Sequence, residues 1–327
     1  MQAVLCKSLD GPDALEVTDI PIPQPADGEV LVKVTACALN FMDTLITRGK
    51  YQYAPDLPFS PSGELCGIAE ACGVGVERIK PGDRVMGYIG WGGARAYATV
   101  DEDLLVKVPD GVDDSIAAGL SITYGTAIHG LRDRAALAPG ETLAVLGASG
   151  GAGLAAVELG HLMGAQVIAV ASSEEKLAVC RDHGAEMTLN YKTTDLKTEL
   201  KALTSGRGVD VVYDCVGGDH AEAAIRATAW QGRFLVVGFA SGEIPKLPLN
   251  LLLLKGCAAL GVFWGRFVDE DPQRYRENMA QLMAWIAEGK LKPRIDATLP
   301  LEQVHDGLRL LTKRSATGKI VLRPNHG

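Results

Sequence analysis

The chain has 327 residues, 47% of them hydrophobic and 22% charged, with a formal net charge of −8. This is the composition of a soluble globular protein with room for two domains. The acidic balance argues against a nucleic-acid or anionic-membrane surface as the main business of the chain.

From the N-terminus, Met1-Gln2-Ala3-Val4-Leu5-Cys6-Lys7 lacks a basic segment followed by a long apolar core, so no secretory signal is expected and the expected location is the cytoplasm. Prolines cluster at Pro21, Pro23 and Pro25. Short alternating runs follow, such as Glu29 to Ala36 and Gly67 to Gly73, separated by turn signals at Lys80-Pro81-Gly82-Asp83 and Pro109-Asp110-Gly111. The first 120 or so residues therefore predict an irregular, mostly antiparallel β domain.

From about residue 123 to 262 the pattern alternates strand and helix. Thr142 to Leu146 reads as an apolar strand, followed by the glycine-rich turn Gly147-Ala148-Ser149-Gly150-Gly151-Ala152-Gly153, a helical run at Leu154 to Gly160 and a second strand at Gln166 to Ala171. That is one βαβ unit with a phosphate-binding turn in its proper place, although alanine stands in the first glycine position of the strict pattern. Gly150 would let the backbone approach a pyrophosphate. Gly153 would let the helix pack close to the strand, and the amides of Ser149 to Gly153 would face the anion. Further strands at Val209 to Asp214 and Gly232 to Val237 end in glycines, as in a parallel sheet buried on both faces. In such a sheet the ligand crevice lies at the strand ends, which singles out Cys215, Val216, Phe239, Phe263 and Trp264. Phe263 and Trp264 either wall a nicotinamide or fill core.

An NAD site places an acidic residue at the end of the second strand. Here Ala171-Ser172-Ser173 is followed by Glu174-Glu175-Lys176. A serine hydroxyl with the charge of Lys176 suits a 2′-phosphate, so NADPH is expected over NADH. Ser172 or Ser173 also fits a helix N-cap, and a one-residue shift would put Glu174 on the ribose.

The run Gly256 to Val262 reads as an apolar strand at the sheet edge, and Leu249 to Leu254 is too short to span a membrane. Amphipathic helices are expected at Tyr275 to Glu288 and Leu301 to Leu311, and a last strand at Lys319 to Leu322. The seven cysteines form no CxxC pair and read as buried thiols in a reducing compartment. The six histidines show no metal-ligand spacing.

Several motifs in order carry a resemblance over nearly the whole length: Ala38-Leu39-Asn40-Phe41-Met42-Asp43, Pro61 to Gly67, Lys80 to Val85, Tyr124-Gly125-Thr126-Ala127, Gly147 to Gly153, Asn190-Tyr191 and Gly318 to Leu322. The chain resembles the zinc-free quinone oxidoreductases, the zeta-crystallin-like branch of the medium-chain dehydrogenases/reductases. The resemblance implies an α/β fold in which a doubly wound Rossmann sheet (123–262) is inserted into a GroES-like, mostly-β catalytic domain (1–122 and 263–327), with the cofactor across the cleft. Zinc members of that superfamily place cysteine where Asn40 stands and histidine where Gly63 stands, so no catalytic metal is expected.

The implied activity is zinc-independent, NADPH-dependent reduction of quinones or α,β-unsaturated carbonyls. The resemblance places Asn40 by the nicotinamide, to orient the ring or to hydrogen-bond a substrate oxygen; a capping role is the alternative. It places Thr126 at the nicotinamide end, Tyr191 near the adenosine phosphate and Tyr51 at the cleft mouth as a donor to a developing phenolate or enolate. The family's second tyrosine is replaced by Leu45. Asp43 reads as a structural carboxylate, and Lys319 and Arg323 as solvated surface charges or phosphate contacts. A homodimer through the sheet edge is expected. Two alternatives stay open: an enoyl-thioester (acyl-CoA) reductase with Arg48, Lys50 or Arg266 as a basic rim, and a non-catalytic NADPH-binding structural or RNA-binding protein.

Overall fold

A computed structural model describes residues 1–326 of the chain. The chain forms two compact units, one of Met1–Ile122 with the segment from Gly265 onward, the other of Thr123–Trp264.

The second unit is built on six parallel strands. In spatial order they are Met187–Asn190, Gln166–Ala171, Thr142–Leu146, Val209–Asp214, Thr228–Val236 and Ala258–Gly261. Numbered along the chain, this is the order 3-2-1-4-5-6 of a Rossmann sheet, whose direction of winding reverses between Thr142–Leu146 and Val209–Asp214. Every residue of Thr142–Leu146 is buried, as a strand covered by helices on both faces requires. One face packs Ile168, Val170 and Val212 against Leu196 and Leu200 of the helix Leu196–Leu203 and Ala224 and Ile225 of the helix Asp219–Ala227. The expected edge strand is present but shorter than its apolar run. Leu249–Lys255 forms a helix that Gly256 ends in the left-handed region at φ +57°, and Ala258–Gly261 then closes the sheet.

The first unit carries a seven-stranded sheet in which both ends of the chain meet. Its spatial order is Ile295–Pro300, Lys319–Arg323, Glu29–Leu39, Glu64–Cys72, Arg84–Tyr88 and Leu105–Lys107, with Tyr97–Asp101 also paired to Glu29–Leu39. All pairings are antiparallel except that of Ile295–Pro300 with Lys319–Arg323. The C-terminal strand sets Ile320 opposite Leu39, which brings Lys319 beside the segment that follows Leu39. Among the described residues no helix is long and apolar enough to cross a membrane.

Candidate active site

In the Rossmann unit the strand Thr142–Leu146 breaks at Gly147, whose φ of +72° suits glycine alone. A Cβ there would lie 2.8 Å from Val216 Cγ2. Sequence spacing put Ala148 at the tight-turn position; the turn is made one residue earlier, by Gly147. A Cβ on Gly153 would strike the Gly147 carbonyl oxygen, so the helix Gly151–Leu162 packs directly on the turn. Gly150 precedes that helix with φ −79°, and a Cβ on it would meet nothing closer than 3.5 Å. Its bare α-carbon is therefore not demanded by packing within the protein. No side chain caps the helix, which leaves the amides of its first turn for an anion. Ser149 is buried at the base of the turn. These features fit a pyrophosphate.

At the end of Gln166–Ala171, Ser173 is the N-cap of the helix Glu174–Asp182 and accepts from Lys176 N at 3.4 Å. Ser172 is thus not spent on capping. Glu174 forms an ion pair with Arg181, seven residues on, with its side chain turned to solvent. Tyr191 directly follows the neighbouring strand Met187–Asn190, donates its amide to Ala171 O at 3.2 Å and sets its ring 4.6 Å from that of His220. Ser172 and Tyr191 therefore stand at adjacent strand ends.

Past the switch point, the buried Asp214 carboxylate accepts from the amides of Val216 at 2.8 Å and Gly217 at 3.0 Å, and burial raises its pKa. The Ala240 and Ser241 amides return to the carbonyls of Cys215 and Val216, which brings Phe239 against Gly217. Thr126 lies on the helix Ser121–Ile128, where Trp264 packs against Gly125 so tightly that a Cβ there would come within 2.6 Å of the indole. Trp264 is buried and fills this core, whereas Phe263 is exposed.

In the first unit Asn40 opens the helix Phe41–Ile46. Asp43 accepts from Asn40 N at 2.7 Å and from Ser62 N at 2.8 Å. Burial pushes the Asp43 carboxyl up to about 6, against the pull of those two amides and of Lys319. The expectation for Lys319 needs correction: it is neither a solvated charge nor set at a phosphate. Its side chain is buried and its Nζ donates to Asn40 Oδ1 at 2.6 Å and Glu64 Oε1 at 2.7 Å. Asn40 Nδ2 donates to Glu64 Oε1 at 2.9 Å, and Glu64 Oε2 accepts from Ile122 N at 2.8 Å. Gly63 packs on Gly90, whose carbonyl oxygen would lie 2.6 Å from any Cβ at that position. Among the described residues, no group of three His, Cys, Asp or Glu side chains is placed to hold a metal ion.

An alcohol dehydrogenase GroES-like domain model matches residues 26–110, and a zinc-binding dehydrogenase domain model matches residues 151–287. The quinone oxidoreductase-like protein 2 homolog of Nematostella vectensis is 40% identical over 98% of this chain and 88% of its own length. The chain belongs to the quinone oxidoreductase family of medium-chain dehydrogenases/reductases. Two solved members of similar structure were captured with NADPH. Escherichia coli quinone oxidoreductase has a TM-score of 0.93 and 27% identity, with 99% of this chain and 100% of that one covered. Mycobacterial Rv1454c has a TM-score of 0.92 and 30% identity, with the same coverage.

Within this quinone oxidoreductase fold, Tyr51 is half-buried and its ring lies 5.9 Å from that of Tyr53, which in turn lies 6.2 Å from that of Trp91. Burial pushes the Tyr51 phenol up to about 12, which keeps it protonated at neutral pH. Sequence reasoning missed Tyr53 and Trp91 because nothing in their spacing, one in a loop and the other 38 residues away by number, marks them as neighbours. It also missed Glu64, the partner that explains why a lysine is buried.

Proposed function

We propose that the protein is a zinc-independent, NADPH-dependent reductase of quinones or α,β-unsaturated carbonyls. The observation that carries this reading is the Lys319 ammonium held between Asn40 and Glu64. Asn40 and Gly63 stand where zinc members carry ligands, and a fixed internal cation fills the space beside them. Without a Lewis acid an alkoxide is poorly stabilised, whereas quinones and enones are already electrophilic.

NADPH, when bound, supplies the hydride. The chain's own residues bind, orient and exclude water. The turn Ser149 to Gly153 would hold the pyrophosphate on the amides that open the helix, the Gly150 amide being spent on the Gly147 carbonyl oxygen at 3.1 Å, and Ser172 and Lys176 would hold the 2′-phosphate. The pairing of Glu174 with Arg181 supports NADPH over NADH, because it draws that carboxylate into a surface ion pair. Tyr191 would line the adenosine side, and Asn40, Thr126, Cys215, Val216, Phe239, Phe263 and Trp264 the nicotinamide side. Tyr51 would donate to a developing phenolate or enolate; otherwise the proton comes from water. The reading includes a homodimer through the strand Ala258–Gly261.

The test is NADPH oxidation by the purified protein with ortho- and para-quinones, a simple enone and a short enoyl-CoA, each repeated with NADH. Quinone or enone turnover with NADPH preferred is the expected result. Tight NADPH binding without turnover of any acceptor overturns the activity. The enoyl-CoA arm tests the thioester alternative, two of whose three rim candidates are already engaged: Arg48 donates to Thr44 O and Arg266 pairs with Glu270.

A further inference from the structure

We infer that Glu158 is a positioning residue for the bound cofactor, a single buried carboxylate that holds the helix carrying Thr126 through Tyr124 and the helix carrying Lys176 through His183. The inference rests on the cofactor contacts proposed above and deepens them. Glu158 lies on the helix Gly151–Leu162, seven residues beyond Gly151, and is 8% exposed. Its Oε2 accepts from the Tyr124 hydroxyl, and its Oε1 lies 2.9 Å from His183 Nδ1. A carboxylate only accepts, so both partners donate, the phenol through its O–H and the imidazole through Nδ1–H. Burial first, and then the Glu158 charge, drive the Tyr124 phenol well above its ordinary range, which keeps the donated proton in place.

Each partner belongs to a segment assigned to a different end of the cofactor. Tyr124 is buried on the helix Ser121–Ile128, two residues before Thr126. Its neighbour Gly125 is pressed against the Trp264 indole, so this helix is held by packing at one residue and by a hydrogen bond at the next. His183 is the C-cap of the helix Glu174–Asp182, at whose other end Ser173 accepts from Lys176 N. Nine residues make that helix about 13 Å long, short enough to move as one piece. The turn after it is pinned by the same pyrophosphate helix: a Cβ on Gly184, at φ +100°, would come within 2.7 Å of His161 Cγ.

Stability alone gives no reason for a carboxylate here, since an apolar side chain of similar size serves a core as well or better. A carboxylate that accepts from two helices fixes the direction as well as the distance of each. The helix that opens at the pyrophosphate turn thereby sets the placement of the segments for the nicotinamide and for the 2′-phosphate.

The test uses the full chain as Tyr124→Phe, His183→Ala, His183→Asn and Glu158→Met, with Lys176→Ala as the control. NADPH and NADH affinities are read by fluorescence titration, and the emission maximum and lifetime of bound NADPH report on the nicotinamide. His183→Ala is expected to weaken NADPH about three- to tenfold and to leave NADH unchanged, because only NADPH carries the 2′-phosphate. His183→Asn, whose amide offers an N–H near the place of Nδ1, restores most of the loss. Tyr124→Phe is expected to keep the ratio of the two affinities, to shift the emission of bound NADPH and to lower kcat about tenfold. Glu158→Met shows both changes together; should it fail to fold, the partner variants carry the test. Equal weakening of both cofactors in every variant, as a purely structural role predicts, overturns the inference, and so does a His183→Ala loss that His183→Asn does not restore. If Lys176→Ala shifts the affinity ratio and His183→Ala does not, the inference fails while the functional reading stands. An unchanged ratio in Lys176→Ala overturns the 2′-phosphate contact and the inference with it. If the unmodified protein binds NADPH but turns over no acceptor, the activity fails, and the affinity ratios and the emission decide the role of Glu158 by themselves.

Discussion

Gly153 lies against Gly147 so closely that a methyl group on its α-carbon would strike the Gly147 carbonyl oxygen and sit 2.8 Å from the Ala148 Cα. Both obstacles are backbone, so neither yields cheaply. Gly153→Ala is expected to push the helix Gly151–Leu162 off the turn, lowering stability by about 1–3 kcal/mol and weakening NADPH about tenfold or more. Gly150→Ala is expected to behave differently. Its φ of −79° accepts any residue and its Cβ direction is open, so the fold stays as stable while NADPH affinity falls. Denaturant unfolding beside a fluorescence titration checks both. Wild-type affinity in Gly150→Ala would show that the cofactor backbone does not approach there.

Asp43 gives the fold a pH signature. Its carboxyl, fully buried, titrates at about 6 in the folded chain and near 3.9 unfolded. The folded state therefore binds this proton more tightly. That contribution to stability is fully present below the unfolded value and is lost as pH rises through the folded one. Between pH 5 and pH 7 it falls by about 1 kcal/mol. Asp43→Asn lacks this component, and is less stable throughout because an amide has one acceptor oxygen for the two amides of Asn40 and Ser62. Urea unfolding at pH 5, 6 and 7 should show a steeper decline in the unaltered protein. Parallel curves would place the titration elsewhere.

Cofactor preference turns on Lys176. Removing one charged contact to a phosphate costs about 1.5–3 kcal/mol, so Lys176→Ala is expected to weaken NADPH roughly tenfold or more and leave NADH almost unchanged. Equal weakening of both cofactors would remove Lys176 from the 2′-phosphate.

Tyr213 is fully buried in the Rossmann sheet, and its hydroxyl has no hydrogen-bond partner among the described residues. A buried, unsatisfied hydroxyl costs about 1–3 kcal/mol. Tyr213→Phe keeps the ring that packs beside Gly130 and drops the cost, so its thermal midpoint is expected to rise. A fall would mean that the hydroxyl is satisfied in solution, for instance by water.

The Rossmann unit was legible because its signals are local. Apolar strands such as Thr142–Leu146 and the glycines after them lie within a few residues of one another, and periodicity reports them directly. The helix Leu249–Lys255 was not legible, since an apolar run of that length suits several structures. The network around Asn40 was hidden for another reason. Lys319 and Glu64 are 255 residues apart and meet only because the C-terminal strand inserts beside Glu29–Leu39. A lone lysine in a strand reads as solvated until its partner is placed. Gly147 lies between these cases: the turn was visible, but which glycine takes the positive φ is set by three-dimensional packing against Val216.

The edge of the Rossmann sheet yields the last prediction. The strand Ala258–Gly261 pairs with Thr228–Val236 on one side only, and Ala258, Ala259 and Gly261 are exposed. Nearby, Leu249, Leu253 and Leu254 of the preceding helix are also exposed, and so is Trp230, whose ring stands over Gly256. An open edge beside large apolar side chains is a template for pairing with another chain unless something covers it. A second copy related by a two-fold axis presents the same edge and the same leucines, and so satisfies both at once. We expect a dimer in sedimentation velocity at micromolar concentration, and a shift to monomer when Leu253→Lys and Leu254→Lys are combined. Both leucines face solvent in the single chain, so the double variant should keep its fold and its circular dichroism. An unaltered protein that sediments as a monomer at every concentration would rule out this edge as a dimer interface, and a variant that stays dimeric would move the interface away from the helix.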